Sequence, residues 1–160
     1  MDEAAKKTAL RGITYGLYVI GVRDEAGEVN AFTGNWLTQT SFNPPLVVLA
    51  AKEGTSSQEA IEKTGVFAVS VLATGQKDIA TQFFRPAHRV GNKFGELEFE
   101  LGAETGCPVL KDALSYFECR VRQSIGGGDH RVYLAEVVGA GVFREGKPLA
   151  MAETGFYYGG

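Results

Sequence analysis

The longest regular pattern in the chain is an alternation of apolar and polar residues over 115–125. Successive residues of a strand point to opposite faces, so this pattern predicts a strand with one face in the core. The predicted inward residues are Phe117, Cys119 and Val121, and the predicted outward residues are Glu118, Arg120 and Arg122. A glycine-rich turn over 126–130 leads into a second apolar run over 131–143, so a long antiparallel hairpin constrains the fold.

Other segments also predict strands, at 13–20, from 30 up to the stop at Pro44-Pro45, and at 46–51, 66–72 and 97–101, and three short helices at 2–11, 56–64 and 76–84. The rest of 85–114 reads as loop. Twenty-one glycines favour a turn-rich chain over a helical bundle. Together these segments predict one mainly β domain over residues 1–160, with antiparallel strands in a barrel-like arrangement and a few short helices.

Composition excludes several classes of function. The net charge is −3 and lysines and arginines form no block, which argues against a nucleic-acid partner. The longest apolar run, Leu46 to Ala51, is too short to cross a bilayer, and the charged start lacks a signal core. We therefore expect a cytoplasmic protein with no membrane partner. The two cysteines and two histidines have no metal-site spacing, so no metal site is expected.

A polar stretch runs from Asn30 to Pro45 between two apolar runs, and it holds the only tryptophan, Trp36. Such a strand could be a solvent-facing edge, but its polar residues occupy both faces. The second reading is a ligand with a polar edge and a flat apolar body, such as a flavin. Gly34 would let backbone approach closely, Trp36 and Phe32 could cover the apolar body, and the polar edge could meet Thr33, Asn35, Gln39, Thr40 and Ser41.

A second candidate site lies where the helix over 56–64 begins. Free backbone N–H groups and the positive end of the helix dipole make such a position an anion site. Lys52, Thr55, Ser56 and Ser57 add a cation and three hydroxyls, which suits a phosphate. The alternative is ordinary capping, since Ser56 and Glu59 have capping-box spacing, with an exposed lysine nearby.

His130 follows three glycines and Asp129, where it could meet a nucleotide or hydride donor, or cap a turn. His88 reads as exposed, and Phe156-Tyr157-Tyr158 as a core or subunit-contact cluster. No Walker sequence or dinucleotide fingerprint is present, so any nucleotide is bound by another device.

The polar stretch, read as N-A-x-T-x-x-W-x-x-x-x-S-x-x-P-P, resembles the flavin reductase-like family of FMN-binding split barrels. The Gly128-Asp129-His130 element and the segment Gly106 to Cys119 also match that family, within which the chain is most similar to the flavin reductase-like domain of flavodiiron proteins. The resemblance covers about Leu10 to Gly146.

This resemblance implies an antiparallel, Greek-key-like split β-barrel that forms a homodimer and binds FMN, with FAD as an alternative. It implies hydride transfer from C4 of NADH or NADPH to flavin N5, with a flavin or a protein as electron acceptor. The flavin would contact Thr33, Gly34, Asn35, Trp36, Gln39, Thr40 and Ser41, its phosphate Lys52, Thr55, Ser56 and Ser57, and the incoming nicotinamide His130. An electron-relay flavoprotein that takes electrons from a protein partner is the alternative function.

Overall fold

The computed structural model describes residues 1–160. The helices are α1 (Glu3–Arg11), α2 (Ser56–Thr64) and α3 (Lys77–Gln82), and a 3-10 turn spans Met151–Glu153. The strands are β1 (Tyr18–Arg23), β2 (Val29–Gly34), β3 (Leu37–Ser41), β4 (Leu46–Lys52), β5 (Val66–Val71), β6 (Arg89–Val90), β7 (Lys93–Phe94), β8 (Leu97–Leu101), β9 (Pro108–Leu110), β10 (Ser115–Ile125) and β11 (His130–Val142). No helix is both long enough and apolar enough to cross a membrane.

Seven strands form one antiparallel sheet in the order β2-β1-β5-β10-β11-β4-β3. β2 and β3 lie at opposite ends of this order, yet only Asn35 and Trp36 separate them in the chain. Consecutive Cα atoms are about 3.8 Å apart, so the two edges of the sheet must meet at this joint. The sheet therefore closes on itself, which confirms the predicted mainly β, barrel-like class.

Two apolar cores lie on the two sides of the barrel wall. One contains Ile20, Leu49, Phe67 and Tyr133, and α2 closes it with Ile61. The other lies between the barrel, α3 and the small sheet β6-β7-β8-β9, and the residues buried there include Leu17, Val19, Phe83, Phe94 and Phe99. At about 25 cal/mol per Å² of buried apolar surface, these two cores are the main favourable contribution to the fold.

The predicted hairpin of β10 and β11 is confirmed, but one of its predicted outward side chains is buried. Glu118 was predicted to face solvent, and it is only 2% exposed. The alternation of β10 holds, since Phe117, Cys119 and Val121 pack against one core, but the chain before β9 covers the opposite face at Glu118. The Glu118 carboxylate accepts hydrogen bonds from the Glu104 and Thr105 N–H groups and the Thr105 hydroxyl.

Three further expectations need correction. The first strand begins at Tyr18 rather than Ile13, because Gly16 pairs only with Ala150 in an isolated bridge. The polar stretch is two strands rather than one, because the chain changes sheet edge at Asn35 and Trp36. The region over 85–114 is not only loop with one strand, because three strands of two or three residues pair with β8 or with each other.

Candidate functional site

A cleft of about 740 Å³ opens where the ends of several elements meet. Its walls come from the end of β2, the end of β4, the start of α2, the segment after α3, the start of β11 and the C-terminal tail. This volume lies within the range of small-molecule and cofactor sites. The lining includes eight of the twelve predicted site residues, namely Thr33, Gly34, Asn35, Lys52, Thr55, Ser56, Ser57 and His130.

The start of α2 forms one end of the cleft. Thr55, not Ser56, is the N-cap residue, since its hydroxyl accepts the Gln58 N–H at 3.2 Å. The Gln58 side chain accepts the N–H of Gly54, the residue before the cap, so the N-cap lies one residue earlier than predicted. The first N–H groups of a helix have no intrahelical partner, so those of Ser56 and Ser57 are available to a ligand.

Positive charge surrounds this end of the cleft. Lys52 is exposed and pairs in register with His130 across β4 and β11. Arg85 also lines the cleft, and no aspartate or glutamate is among the lining residues. Two carboxylates lie nearby, and both are paired: Glu53 is bound to Arg131 at 3.1 Å, and Asp129 is bound to His130 at 2.7 Å. The electrostatic environment of the cleft therefore favours an anionic ligand.

At the end of β2, two polar side chains are already engaged within the chain. The Thr33 hydroxyl donates to the Ala80 carbonyl at 2.6 Å, and the Asn35 amide donates to Met151 Sδ at 3.3 Å. These bonds tie β2 to α3 and to the 3-10 turn. Both residues line the cleft, but these two donor groups fix the position of its wall.

The remaining predicted residues lie elsewhere. Trp36 contacts His130 from the side, with ring centroids 4.5 Å apart, but is not a lining residue. Gln39 and Thr40 are exposed and Ser41 is half-buried on the edge strand β3, and the Gln39 amide donates to the Ser41 carbonyl. Within this chain, the structure does not bring Gln39, Thr40 and Ser41 to the cleft.

His130 is held by hydrogen bonds at both ring nitrogens. Nδ1 lies 2.7 Å from Oδ1 of Asp129, and Nε2 lies 2.7 Å from the hydroxyl of Tyr158. The hydrogen bond with His130 lowers the pKa of Asp129. Burial, and then the charge of Asp129, raise the pKa of Tyr158, which keeps its hydroxyl protonated.

The tail was the part of this site that the sequence did not indicate. Phe156, Tyr157 and Tyr158 line the cleft, whereas they were predicted to form a core or subunit-contact cluster. Phe84 also lines it and stacks edge-on against Phe156 at 5.0 Å. The run of three aromatic residues was the only available signal, and nothing local indicated that it returns to the start of β11.

Comparisons with known proteins identify the family. The sequence model of the family described as "Flavin reductase like domain" matches residues 10–160. The chain belongs to the flavin reductase-like family. It is 32% identical over 136 residues to a "Probable flavin reductase" of Rhizobium meliloti, and 26% identical over 146 residues to a chain named as diflavin flavoprotein A 3 from Synechocystis. These matches cover 85% and 91% of this chain, but only 42% and 24% of the two relatives.

A solved structure shares the fold over nearly the whole chain. The NADH:FAD oxidoreductase SgcE6 of Streptomyces globisporus C-1027, in complex with NAD and FAD fragments, aligns with a TM-score of 0.81 and 27% identity. The alignment covers 98% of this chain and 92% of that one. The resemblance to the flavin reductase-like family is confirmed, and the relatives include a diflavin flavoprotein.

Proposed function

We propose that the cleft binds FMN, or FAD, and that the chain is an NADH- or NADPH-dependent flavin reductase. One observation supports this most strongly. A single cleft joins a helix start that suits a phosphate to a strand end and aromatic tail that suit a flat ring. Membership of the flavin reductase-like family agrees with this assignment.

The phosphate end has the groups that a phosphate monoester needs. The N–H groups of Ser56 and Ser57 point out of the start of α2, where the helix dipole is positive. Ser56, Ser57 and Lys52 all line the cleft. A phosphate here would accept hydrogen bonds from uncharged donors and from one cation, and no nearby carboxylate in the lining would repel it.

The ring end combines apolar walls with a fixed strand end. Phe32, Phe84, Phe156 and Tyr157 line it and can cover a flat apolar body. Thr33 and Asn35 hold the end of β2 in place through their bonds to Ala80 and Met151. The predicted flavin contacts of Gln39, Thr40 and Ser41 stay a prediction, and within one chain they are outside the cleft.

When bound, the flavin ring supplies the chemistry by accepting a hydride at N5 from C4 of the reduced nicotinamide. The residues of the chain position the two ring systems and exclude water. The hydride step needs no protein acid or base, which agrees with the lack of a strong catalytic cluster in the cleft. His130 lines the cleft and is the residue that we assign to the nicotinamide.

The test is turnover by the full chain with added FMN. We expect NADH or NADPH oxidation that depends on flavin, together with binding of FMN measured by quenching of flavin fluorescence. FMN binding without nicotinamide oxidation, measured with both donors, would instead favour the electron-relay alternative. No binding of FMN or FAD at saturating concentration would contradict the proposal.

We also infer a homodimer in the cytoplasm. The cross-strand pair Ile125 and Val132 exposes apolar surface at the tip of the β10–β11 hairpin, and Phe42 is 92% exposed beside the edge strand β3. Such surface is typical of a protein contact. The thiols of Cys107 and Cys119 are free and buried, as is usual in a reducing compartment.

A further inference from the structure

The C-terminal tail closes over the residue that we assign to the nicotinamide. The Tyr158 hydroxyl lies 2.7 Å from His130 Nε2, and its ring meets Trp36 edge-on at 5.3 Å. With Asp129 on Nδ1 and Tyr158 on Nε2, His130 has no free ring nitrogen, and its side chain is only 11% exposed. A ligand can bond to His130 only if Tyr158 gives way.

The hydrogen bonds define what kind of group could replace this hydroxyl. Asp129 is a carboxylate and can only accept, so Nδ1 donates to it. We take His130 in its neutral form, in which Nε2 carries the lone pair and accepts from the Tyr158 hydroxyl. A replacement for Tyr158 must therefore be a hydrogen-bond donor, such as an amide N–H.

The adjacent Trp36 needs a hydrogen-bond acceptor rather than a donor. Nε1 of Trp36 is the one buried side-chain nitrogen or oxygen in the chain without a hydrogen-bond partner. Indole N–H is only a donor, so it needs an acceptor. The rings of Trp36 and His130 lie 4.5 Å apart. A primary carboxamide carries both groups, an N–H for His130 and a carbonyl for Trp36.

The tail is attached in a way that allows it to move. Met151 and Thr154 are buried and anchor its start. Gly155 follows with a φ of +74°, a conformation that favours glycine, and the end of the tail beyond it is exposed. Tyr158 is 44% exposed, and Gly159 is held by one long bond of 3.4 Å from Arg11. With the tail in this position the Trp36 N–H has no hydrogen-bond partner.

We propose that His130 and Trp36 form a subsite for the carboxamide of the nicotinamide. The Tyr158 hydroxyl occupies this subsite until the nicotinamide displaces it. This inference rests on the proposed function, because it names the place of the nicotinamide carboxamide. It makes Tyr158 a competitor of the donor nucleotide. Removing its hydroxyl should then strengthen binding, whereas a purely structural role predicts weaker binding.

The first experiment is a titration of the full chain with NAD⁺, followed by the emission of Trp36, the only tryptophan. We expect saturable binding, with a Kd roughly two- to tenfold lower in Tyr158→Phe, the factor that one net hydrogen bond corresponds to. The matched control is Tyr116→Phe, which removes a phenol hydroxyl far from the cleft and should leave the Kd unchanged. An unchanged or raised Kd in Tyr158→Phe would overturn the proposal.

A second ligand tests the donor assignment. In 3-acetylpyridine adenine dinucleotide a methyl group replaces the amide NH₂, while the carbonyl and the net charge are kept. We expect it to bind more weakly than NAD⁺ to both wild type and Tyr158→Phe. Equal affinity of the two dinucleotides would show that no amide N–H donates to His130 Nε2, and would contradict the donor assignment.

Turnover separates this inference from the proposed function. In an active enzyme, Tyr158→Phe should lower KM for the reduced nucleotide by the same factor. If wild type binds NAD⁺ as described but does not oxidise NADH or NADPH, the reductase proposal fails and the carboxamide subsite stands. If wild type turns over with an unchanged KM in Tyr158→Phe, the reductase proposal stands and the subsite fails.

Discussion

At the scale of the single residue, the buried side chain of Glu118 makes hydrogen bonds that no neighbouring residue can replace. Its carboxylate is buried next to the close-packed backbone of Gly102 and Gly139, and a Cβ at either glycine would come within 3.0 Å of it. It accepts two bonds of 2.7 Å from Thr105. A buried carboxylate is stable only when it is fully hydrogen-bonded. Glu118 therefore fixes the loop before β9 to the wall of the barrel.

Glu118→Ala should lower the free energy of unfolding by about 2–4 kcal/mol, because the Thr105 N–H and hydroxyl lose their acceptor inside the protein. Glu118→Gln keeps one carbonyl acceptor and should cost less. Urea unfolding measures both. The control Glu100→Ala removes an exposed carboxylate from β8 and should change the stability little. An equal effect of Glu100→Ala and Glu118→Ala would contradict this role of Glu118.

At the scale of the element, α2 divides two tasks between adjacent residues. Thr55 caps the helix and Ser56 has a helical backbone with an exposed side chain. The capping bond stabilises the fold, whereas the Ser56 N–H and hydroxyl are left for a ligand. Helix stability and phosphate binding should therefore be separable by mutation.

Thr55→Ala should lower the free energy of unfolding by about 1 kcal/mol, the usual cost of a lost N-cap. Ser56→Ala should change stability by a few tenths of that value, because its side chain makes no hydrogen bond within the chain and alanine favours the helix. Chemical denaturation of both variants without flavin gives the comparison. A larger loss in Ser56→Ala than in Thr55→Ala would restore Ser56 as the cap.

The elements that could be predicted from the sequence are those with long regular patterns. Alternation over 115–125 predicted β10, and the glycine-rich turn with the apolar run after it predicted β11. β6 and β7 have two residues each, which is too short for any period to show. The part of the predicted first strand over 13–17 was wrong. Leu17 is buried, but it lies in a loop whose one bridge is the pair Gly16 and Ala150.

At the scale of the whole molecule, the cleft is formed by the ends of strands and helices that are far apart in sequence. Lys52, Ser56 and His130 could be predicted as candidates because each sits beside a glycine-rich turn or a helix start. Their proximity follows from the register of β4 with β11. Tyr158 could not be predicted, because its place depends on a tail that crosses from the 3-10 turn back to His130.

The same scale explains why part of the polar stretch lies away from the cleft. Closing the barrel at Asn35 and Trp36 sends β2 and β3 to opposite edges of the sheet. Gly34 and its neighbours then face the cleft, while Gln39 lies on an exposed edge. The polar stretch therefore has both predicted roles: the part around Gly34 faces the cleft, and the part around Gln39 faces solvent.

The central claim is that the cleft binds a flavin with its phosphate at the start of α2, and the Kd values of FMN and riboflavin test it most directly. These ligands share the ring and differ in the phosphate. In Lys52→Ala/Ser56→Ala, the Kd of FMN should rise roughly tenfold or more, since a charged hydrogen bond and a neutral one are lost, and that of riboflavin should stay nearly constant. The control Lys63→Ala, in the last turn of α2, should alter neither. Equal weakening of FMN and riboflavin in the double variant would contradict the account.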